Sequence, residues 1–364
     1  MYFFLTNKKT IAIIFGGASS EHEVSRVSAA SVIRNINTEK FDVKNIGIKK
    51  DGSWFLFNGS ADDIENGKWE SDPNNIPVIL SPNPNDHGLL IFENSSFKKK
   101  YIDAVFPVLH GKNGEDGTVQ GLFSLAKIPF VGCDTSSSAV CMDKVFTNLI
   151  LDSGKINRCK WIWFYSYEFK NSPDEIFNKA ELELGYPMFV KPANAGSSVG
   201  IGKALNRNEL LKYIEDAIVH DKKILIEEFI DGFEVECAVL GNEDPIPSTL
   251  GQIVPAKEFY DYEAKYSSPD NKYYIPAHVS DEVTDKIKKT AIKAFKLLGC
   301  EGLSRIDFFV RKSDDTIFLN EINTLPGFTS ISMYPQLFAH LGIPYSELLS
   351  KLINLALKRS GENG

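Results

Sequence analysis

Long apolar runs are missing from this chain of 364 residues, and no stretch approaches the roughly 20 residues that a helix needs to cross a bilayer. The opening Met1-Tyr2-Phe3-Phe4-Leu5 is too short for the apolar part of a secretion signal and has no small-residue cleavage site. A cytoplasmic protein with no membrane partner is therefore expected. Cysteine is scarce too: Cys133, Cys141, Cys159, Cys237 and Cys300 are odd in number, widely scattered and form no CxxC pair. That fits five reduced thiols in a cytosol, acting as small buried hydrophobes, rather than a disulfide framework. Positive charge is not in excess, with 40 Lys and Arg against 48 Asp and Glu and a net charge of -8. A nucleic-acid partner is not expected without a basic patch. The longest basic run, Lys98-Lys99-Lys100, reads as a solvated turn. Neither GxGxxG nor GxxxxGK[ST] occurs at the glycine turns, so nothing supports a dinucleotide fold or a P-loop.

What is present is a 43% hydrophobic chain, long enough for two or three domains with cores of their own. Strand-like and helical stretches alternate, the pattern of α/β layers. Thr10-Ile11-Ala12-Ile13-Ile14-Phe15 reads as a strand that runs through Gly16-Gly17-Ala18-Ser19-Ser20 into a helix from about Val24 to Ile36. Such a turn faces backbone N–H groups toward an anion or substrate. Ala104 to Leu109 reads as a second strand, and its carboxyl end opens into His110-Gly111-Lys112-Asn113-Gly114-Glu115-Asp116-Gly117, where open α/β sheets place ligands. Residues 51–97 are rich in Asn, Asp, Ser, Pro and Gly and read as an irregular insertion.

Domain boundaries are expected near Asp134 and, less sharply, near position 225. Gly185 to Pro192 reads as a strand carrying Lys191, followed by Ala193-Asn194-Ala195-Gly196-Ser197-Ser198-Val199-Gly200, a small-residue loop able to wrap phosphates. Lys223 to Ile230 reads as a strand ending in Glu227 and Glu228, with Glu234 beyond. Carboxylates there suit an adenine amine or ribose hydroxyls, and equally suit an ordinary acidic surface.

The densest chemistry lies in Ser304 to Val310 and Thr316 to Asn323, two alternating runs joined by a polar turn. A hairpin symmetric about Asp314 opposes Asp307 to Glu321 and Arg305 to Asn323, all four on one face with opposed Cβ atoms about 5 Å apart. Two carboxylates so placed repel unless a cation lies between them, and oxygen donors from Asp307, Glu321 and Asn323 suit Mg²⁺. Beyond them, Gly327 lies in a loop able to bring a backbone N–H to a reacting carbonyl, where with Arg305 it would stabilise an oxyanion.

The order of these motifs resembles the ATP-grasp fold. Gly16 to Ser25, His110 to Thr118, Lys191 to Gly200, Glu258 to Tyr266 and Asn323 to Ser332 narrow the resemblance to D-alanine–D-alanine ligases. The resemblance implies a three-domain α/β architecture with an N-terminal Rossmann-like domain: a substrate-binding domain at 1–134, a central subdomain at 135–225 and a C-terminal subdomain at 226–364 with metal and substrate sites. It implies that Glu21 holds the ammonium of the first D-alanine, and that Glu21, Ser197 and Tyr266 form a network closing a loop over the site. By the same resemblance Lys144 and Lys191 bind ATP phosphates, Glu227 and Glu234 contact adenine and ribose, and Phe229 and Ile230 line the adenine region. Asp307, Glu321 and Asn323 would hold two Mg²⁺ ions, with Mn²⁺ as a substitute, while Arg305 and Gly327 stabilise the transition state. Lys265 and Ser332 would receive the second D-alanine, and His110 would neighbour the first. The implied activity is ligation of two D-alanines through D-alanyl phosphate for peptidoglycan synthesis, by a homodimer. A D-Ala-D-Ser or D-Ala-D-Lac ligase of the glycopeptide-resistance type stays open as an alternative, as does a non-catalytic nucleotide-binding module. Cys159 to Trp163 departs from the usual proline-containing segment, and its tryptophans read as packing residues.

Overall fold

The computed structural model describes residues 8–93, 96–196, 199–254 and 272–362. Its first strand, β1 (Lys9–Gly16), is apolar and buried from Ile11 onward because it is central. It pairs in parallel with β2 (Phe41–Ile48) on one side and β7 (Ala104–Leu109) on the other. A strand covered on both faces needs an unbroken apolar run, and Ile11 to Phe15 supplies one. Helix α1 (His22–Asn35) leaves the end of β1 and packs back on the sheet through Ala29 and Val32.

Residues 51–97 are not an irregular insertion. They supply β3 (Trp54–Phe57), α2 (Ala61–Glu65), a 3-10 turn (Lys68–Ser71), β4 (Ile76–Leu80), β5 (Gly88–Glu93) and the start of β6 (Ser96–Tyr101). These strands extend the first sheet antiparallel beyond β2, giving the order β6-β5-β4-β3-β2-β1-β7. Trp69 is fully buried, with its ring edge-on to Phe15 at 5.0 Å. Gly47 beneath it cannot become alanine without moving the indole, since a Cβ there would lie 2.2 Å from the Trp69 ring. Lys98 to Lys100 belong to the edge strand β6 rather than to a turn. Lysines on an edge discourage further strand pairing.

Helices α3 (Thr118–Leu125), α4 (Thr135–Met142) and α5 (Lys144–Ser153) lead into the second sheet. Asp134 and Asp143 cap α4 and α5, each side chain accepting from N–H groups of the first turn. The second sheet contains β8 (Trp161–Tyr165), β9 (Met188–Pro192), β10 (Gly202–Ala204) and β11 (Lys223–Glu228) in the order β10-β9-β11-β8. Helices α6 (Ser166–Asn171), α7 (Pro173–Glu183) and α8 (Arg207–His220) complete this part, with a core around Phe164, Met188, Ile214 and Ile226.

The third sheet runs β14-β13-β12-β15-β16, from β12 (Gly232–Gly241), β13 (Ile246–Val254), β14 (Lys272–Tyr274), β15 (Gly302–Arg311) and β16 (Ile317–Asn323). Helix α9 (Asp281–Leu297) buries Ile287, Ala291 and Phe295 against one face of it. The opposite face carries Arg305 and Asp307. Helix α10 (Met333–His340) packs on β12 and β13, and helix α11 (Tyr345–Glu362) then returns to the first sheet, where Leu349, Leu352 and Ile353 share one core with Ile11, Phe15 and Phe106. All five cysteines are buried and unbridged.

Candidate active site

The site begins at the carboxyl ends of β1 and β7. Ser19 ties their two loops together, its hydroxyl accepting from the Glu21 N–H at 3.1 Å and donating to the His110 carbonyl at 2.9 Å. Glu21 thereby sits buried at the start of α1. Gly111 makes room for it, because a Cβ there would come 2.4 Å from Glu21 Oε2, and its φ of +70° lies in the left-handed region. Behind the loop, His22 is fully buried, with Nδ1 2.8 Å from the Gly17 carbonyl and Nε2 3.1 Å from Glu70. The segment expected to be irregular thus braces the loop that presents Glu21.

His110 lies between Glu115, at 3.3 Å from Nδ1, and Ser28, at 3.3 Å from Nε2. Burial disfavours its imidazolium, yet the hydrogen bond and charge of Glu115, with Glu21 behind, outweigh this and hold its pKa above the ordinary value. Burial likewise pushes the Glu115 carboxyl up. A histidine raised in this way stabilises the fold fully below the unfolded pKa of about 6.5, and that contribution is lost as pH rises through the folded value. Titration followed by NMR should therefore show His110 protonated to higher pH than a free histidine, with Glu115→Gln bringing its midpoint down. An unchanged midpoint in that variant would remove Glu115 as the cause.

The second sheet contributes two cations. Lys144, the first residue of α5, reaches the Ala195 carbonyl at 2.8 Å. Lys191 on β9 pairs with Glu227 of the neighbouring β11 at 2.6 Å. Burial opposes the Lys191 charge, but Glu227 holds the ammonium well above the usual lysine range. Phe229 follows β11, its ring 6.2 Å from that of Phe189 and its face 4.3 Å from the Lys203 ammonium. Ile230 is half-buried in the link to β12.

The third sheet supplies the acids. Arg305 faces Asn323 and Asp307 faces Glu321, the expected register. Toward the turn the pairing shifts by one, Phe308 opposing Leu319, so Asn320 is the extra residue of a β-bulge. The bulge sends Leu319 into the core behind the sheet while keeping Glu321 on the site face. On the other side of β15, Glu236 of β12 also faces Asp307. The sheet therefore presents a row of three carboxylates, Glu236, Asp307 and Glu321. The cation expected between Asp307 and Glu321 has a counterpart in the protein: Arg305 forks onto Asp307, with Nε to Oδ1 at 2.8 Å and Nη2 to Oδ2 at 2.6 Å. Burial disfavours that guanidinium, and Asp307, Glu236 and Glu321 together outweigh it.

These parts meet around one cavity of about 200 Å³. Glu21, His110, Lys144, Arg305, Glu321, Asn323, Gly327 and Ser332 all line it. The Ser332 hydroxyl accepts from the Thr329 N–H at 2.9 Å, and Gly327 lies so close that a Cβ would be 2.8 Å from that hydroxyl. Lys191, Glu227, Phe229, Ile230, Glu234 and Asp307 are not among the residues lining it. Ser197, Lys265 and Tyr266 lie outside the described residues. The donor chemistry fits a hard divalent cation: Asp307, Glu321 and Asn323 offer oxygens only, and Asn323 Oδ1, which accepts from the Leu325 N–H at 3.1 Å, keeps a second lone pair.

Sequence reasoning passed over Glu236. Among the described residues, Glu234, Glu236 and Asp307 form one group whose carboxylate oxygens lie within 4.8 Å of one another. The alternation Glu234-Val235-Glu236 signals two acids on one face, but only the long-range pairing of β12 with β15 shows what they face. Met142, Ile253 and Tyr273, which also line the cavity, gave no sequence signal.

Comparison with known proteins places this geometry in a family. Residues 10–133 match the D-ala D-ala ligase N-terminus and residues 150–354 the D-ala D-ala ligase C-terminus. The chain is 52% identical over 353 residues to a D-alanine–D-alanine ligase of Clostridium acetobutylicum, covering 97% of this chain and 99% of that one. It is 50% identical over 370 residues to the corresponding ligase of Acetivibrio thermocellus, covering 98% of each. Among solved structures, the VanG D-Ala:D-Ser ligase from Enterococcus faecalis superposes with a TM-score of 0.88 at 44% identity, over 96% of this chain and 99% of that one. The D-alanine-D-alanine ligase from Coxiella burnetii does so with a TM-score of 0.85 at 31% identity, over 98% and 96%. With three sheets in this order, a cavity that Glu21, His110, Asn323, Gly327 and Ser332 of the resembling stretches line, and both family segments matched, the chain belongs to the D-alanine–D-alanine ligase family.

Proposed function

We propose that this chain joins two D-alanines to D-alanyl-D-alanine at the expense of ATP, through D-alanyl phosphate, with Glu21 and the Arg305 hairpin acting on the same substrate. The observation that carries the reading is the convergence on one cavity of the Glu21 carboxylate, the Lys144 ammonium and the Arg305 guanidinium. A carboxylate is a poor electrophile, so the first D-alanine takes the γ-phosphoryl group and becomes an acyl phosphate. The amine of the second D-alanine then attacks that carbonyl, and phosphate leaves from a tetrahedral intermediate.

The roles of the side chains follow from charge. Glu21 holds the first ammonium and so fixes its carboxylate toward the phosphate lysines Lys144 and Lys191. Glu227 and Glu234 receive the adenine amine and ribose hydroxyls beside Phe229 and Ile230. Arg305 and the Gly327 N–H stabilise the oxyanion, a contribution of about 3 kcal/mol for each donor. Ser332, with Lys265, receives the second carboxylate, and Ser197 and Tyr266 join Glu21 in closing the site against water. Two Mg²⁺ ions, or Mn²⁺, held by Asp307, Glu321 and Asn323 would neutralise phosphate charge. The three sheets support an N-terminal substrate-binding unit ending near Asp134 and two further units that close on ATP.

Phosphate release with ATP and D-alanine, with products identified by mass, tests the reading. D-serine and D-lactate belong in the same assay, because one structural relative is a D-Ala:D-Ser ligase. Dipeptide of two D-alanines should dominate. Phosphate release that requires D-serine or D-lactate would overturn it. The Glu21→Gln variant is expected to raise KM for the first D-alanine by at least about tenfold, the loss of one charged hydrogen bond, with ATP affinity nearly unchanged. An equal loss of ATP affinity would point to collapse of the loop instead.

A further inference from the structure

Arg305 stands between two carboxylates, and only one of them belongs to the oxygen set assigned to the metal. Both Asp307 oxygens accept from its fork, at 2.8 and 2.6 Å. Its Nε also lies 3.1 Å from Glu236 Oε1. Glu236 is 2% exposed, and the register of β12 with β15 sets it directly opposite Asp307. Asp307 itself is fully buried.

This arrangement contains a conflict. With both oxygens committed to a guanidinium, Asp307 has less lone-pair density to offer a hard cation, and a divalent ion placed there is repelled by the arginine charge. The guanidinium needs a second anionic seat on the same face if Asp307 is to turn to a metal. Glu236 is that seat: it already touches Nε, and it approaches from the side of β15 opposite to Glu321. A third carboxylate buried beside two others is costly unless it has a charge to hold.

We propose that Glu236 is a positioning residue that takes over the Arg305 guanidinium when Asp307 binds a divalent cation, so that the arginine charge stays in the cavity. The inference rests on the reading of Asp307 as a metal ligand. It separates two functions of one face, with Asp307 and Glu321 serving the metal and Glu236 serving the arginine. It also explains why a glutamate outside the Asp307, Glu321 and Asn323 set is buried in the same row.

The experiment is a double-mutant cycle on the full chain, read by Mn²⁺ binding in electron paramagnetic resonance with a non-hydrolysable ATP analogue present, and by kcat and KM with Mg²⁺. Glu236→Gln should weaken Mn²⁺ binding by about tenfold, the scale of an outer partner of a metal ligand, and lower kcat more than it changes KM for ATP. Glu236→Asp should restore part of the loss. In an Arg305→Gln background the same Glu236→Gln change should shift Mn²⁺ binding by less than about twofold, because its partner has gone. Equal weakening in both backgrounds would overturn the proposal and make Glu236 a direct ligand or a source of field. Unchanged Mn²⁺ binding in Glu236→Gln would also overturn it. Asp307→Asn serves as the control: if that variant binds Mn²⁺ normally, the metal reading fails, a different result from failure of the Glu236 role. Melting temperatures of all variants identify any that fail to fold.

Discussion

Replacing Glu321 with Gln should raise the Mg²⁺ concentration for half-maximal turnover and lower kcat by at least about a hundredfold, while the protein stays folded. The expectation comes from the row across β12, β15 and β16, in which Glu321 faces Asp307 on the cavity side. The amide is isosteric but has no charge, so it removes half of the opposed carboxylate pair and leaves the packing in place. Asp307→Asn should act in the same direction, but it also breaks the Arg305 fork and is the less clean of the two. Turnover that responds to Mg²⁺ as in the unaltered protein would remove these residues from the metal site. Calorimetry distinguishes that outcome from a folding defect.

The other large effect is on stability and comes from Trp69, which packs behind the loop that presents Glu21. Trp69→Ala should destabilise the protein by roughly 3 to 5 kcal/mol, the usual loss for truncating a buried large aromatic. Trp69 is fully buried, and its ring meets Phe15 at 5.0 Å, Phe57 at 6.4 Å and His22 at 6.4 Å. It also anchors the 3-10 turn that carries Glu70 to His22. A weakened use of the first D-alanine is therefore expected along with the lost stability. Urea unfolding measures the first effect, and a loss below about 1 kcal/mol would show that the site collapses around the missing ring.

Why Trp69 was invisible in the sequence, and the hairpin was not, is a matter of period and distance. β1 and β7 are continuous apolar runs, and β15 and β16 alternate over a short loop, so local pattern alone sets their type and nearly sets their pairing. The strands of 51–97 are short, only β4 alternates buried and exposed residues, and Asn, Asp, Gly and Pro turns separate them. Their stability comes from adding to the edge of β2, a contact that no local pattern reports. The Asn320 bulge was missed for a related reason. Strict alternation counted back from Asn323 sets Leu319 on the cavity face, and only the packing of Leu319 behind the sheet requires the extra residue. Within the candidate site, Glu21, Arg305, Asp307, Glu321 and Asn323 were legible because each stands at a strand end or on an alternating face. Glu236 and Glu70 were not, since their importance lies wholly in what a distant strand or helix brings beside them.

The shared core of β1 and α11 has a consequence for how the chain is made. Ile11 and Phe15 are made long before Leu349, Leu352 and Ile353, which pack with them. The first sheet therefore waits with part of one apolar face uncovered until α11 has been made. Contacts of such large sequence separation fold slowly and leave sticky surface exposed to other chains. Synthesis stopped short of α11 should thus yield aggregation of the first sheet, not an independently folded substrate-binding unit, and α11 acts as the closing step of folding for β1.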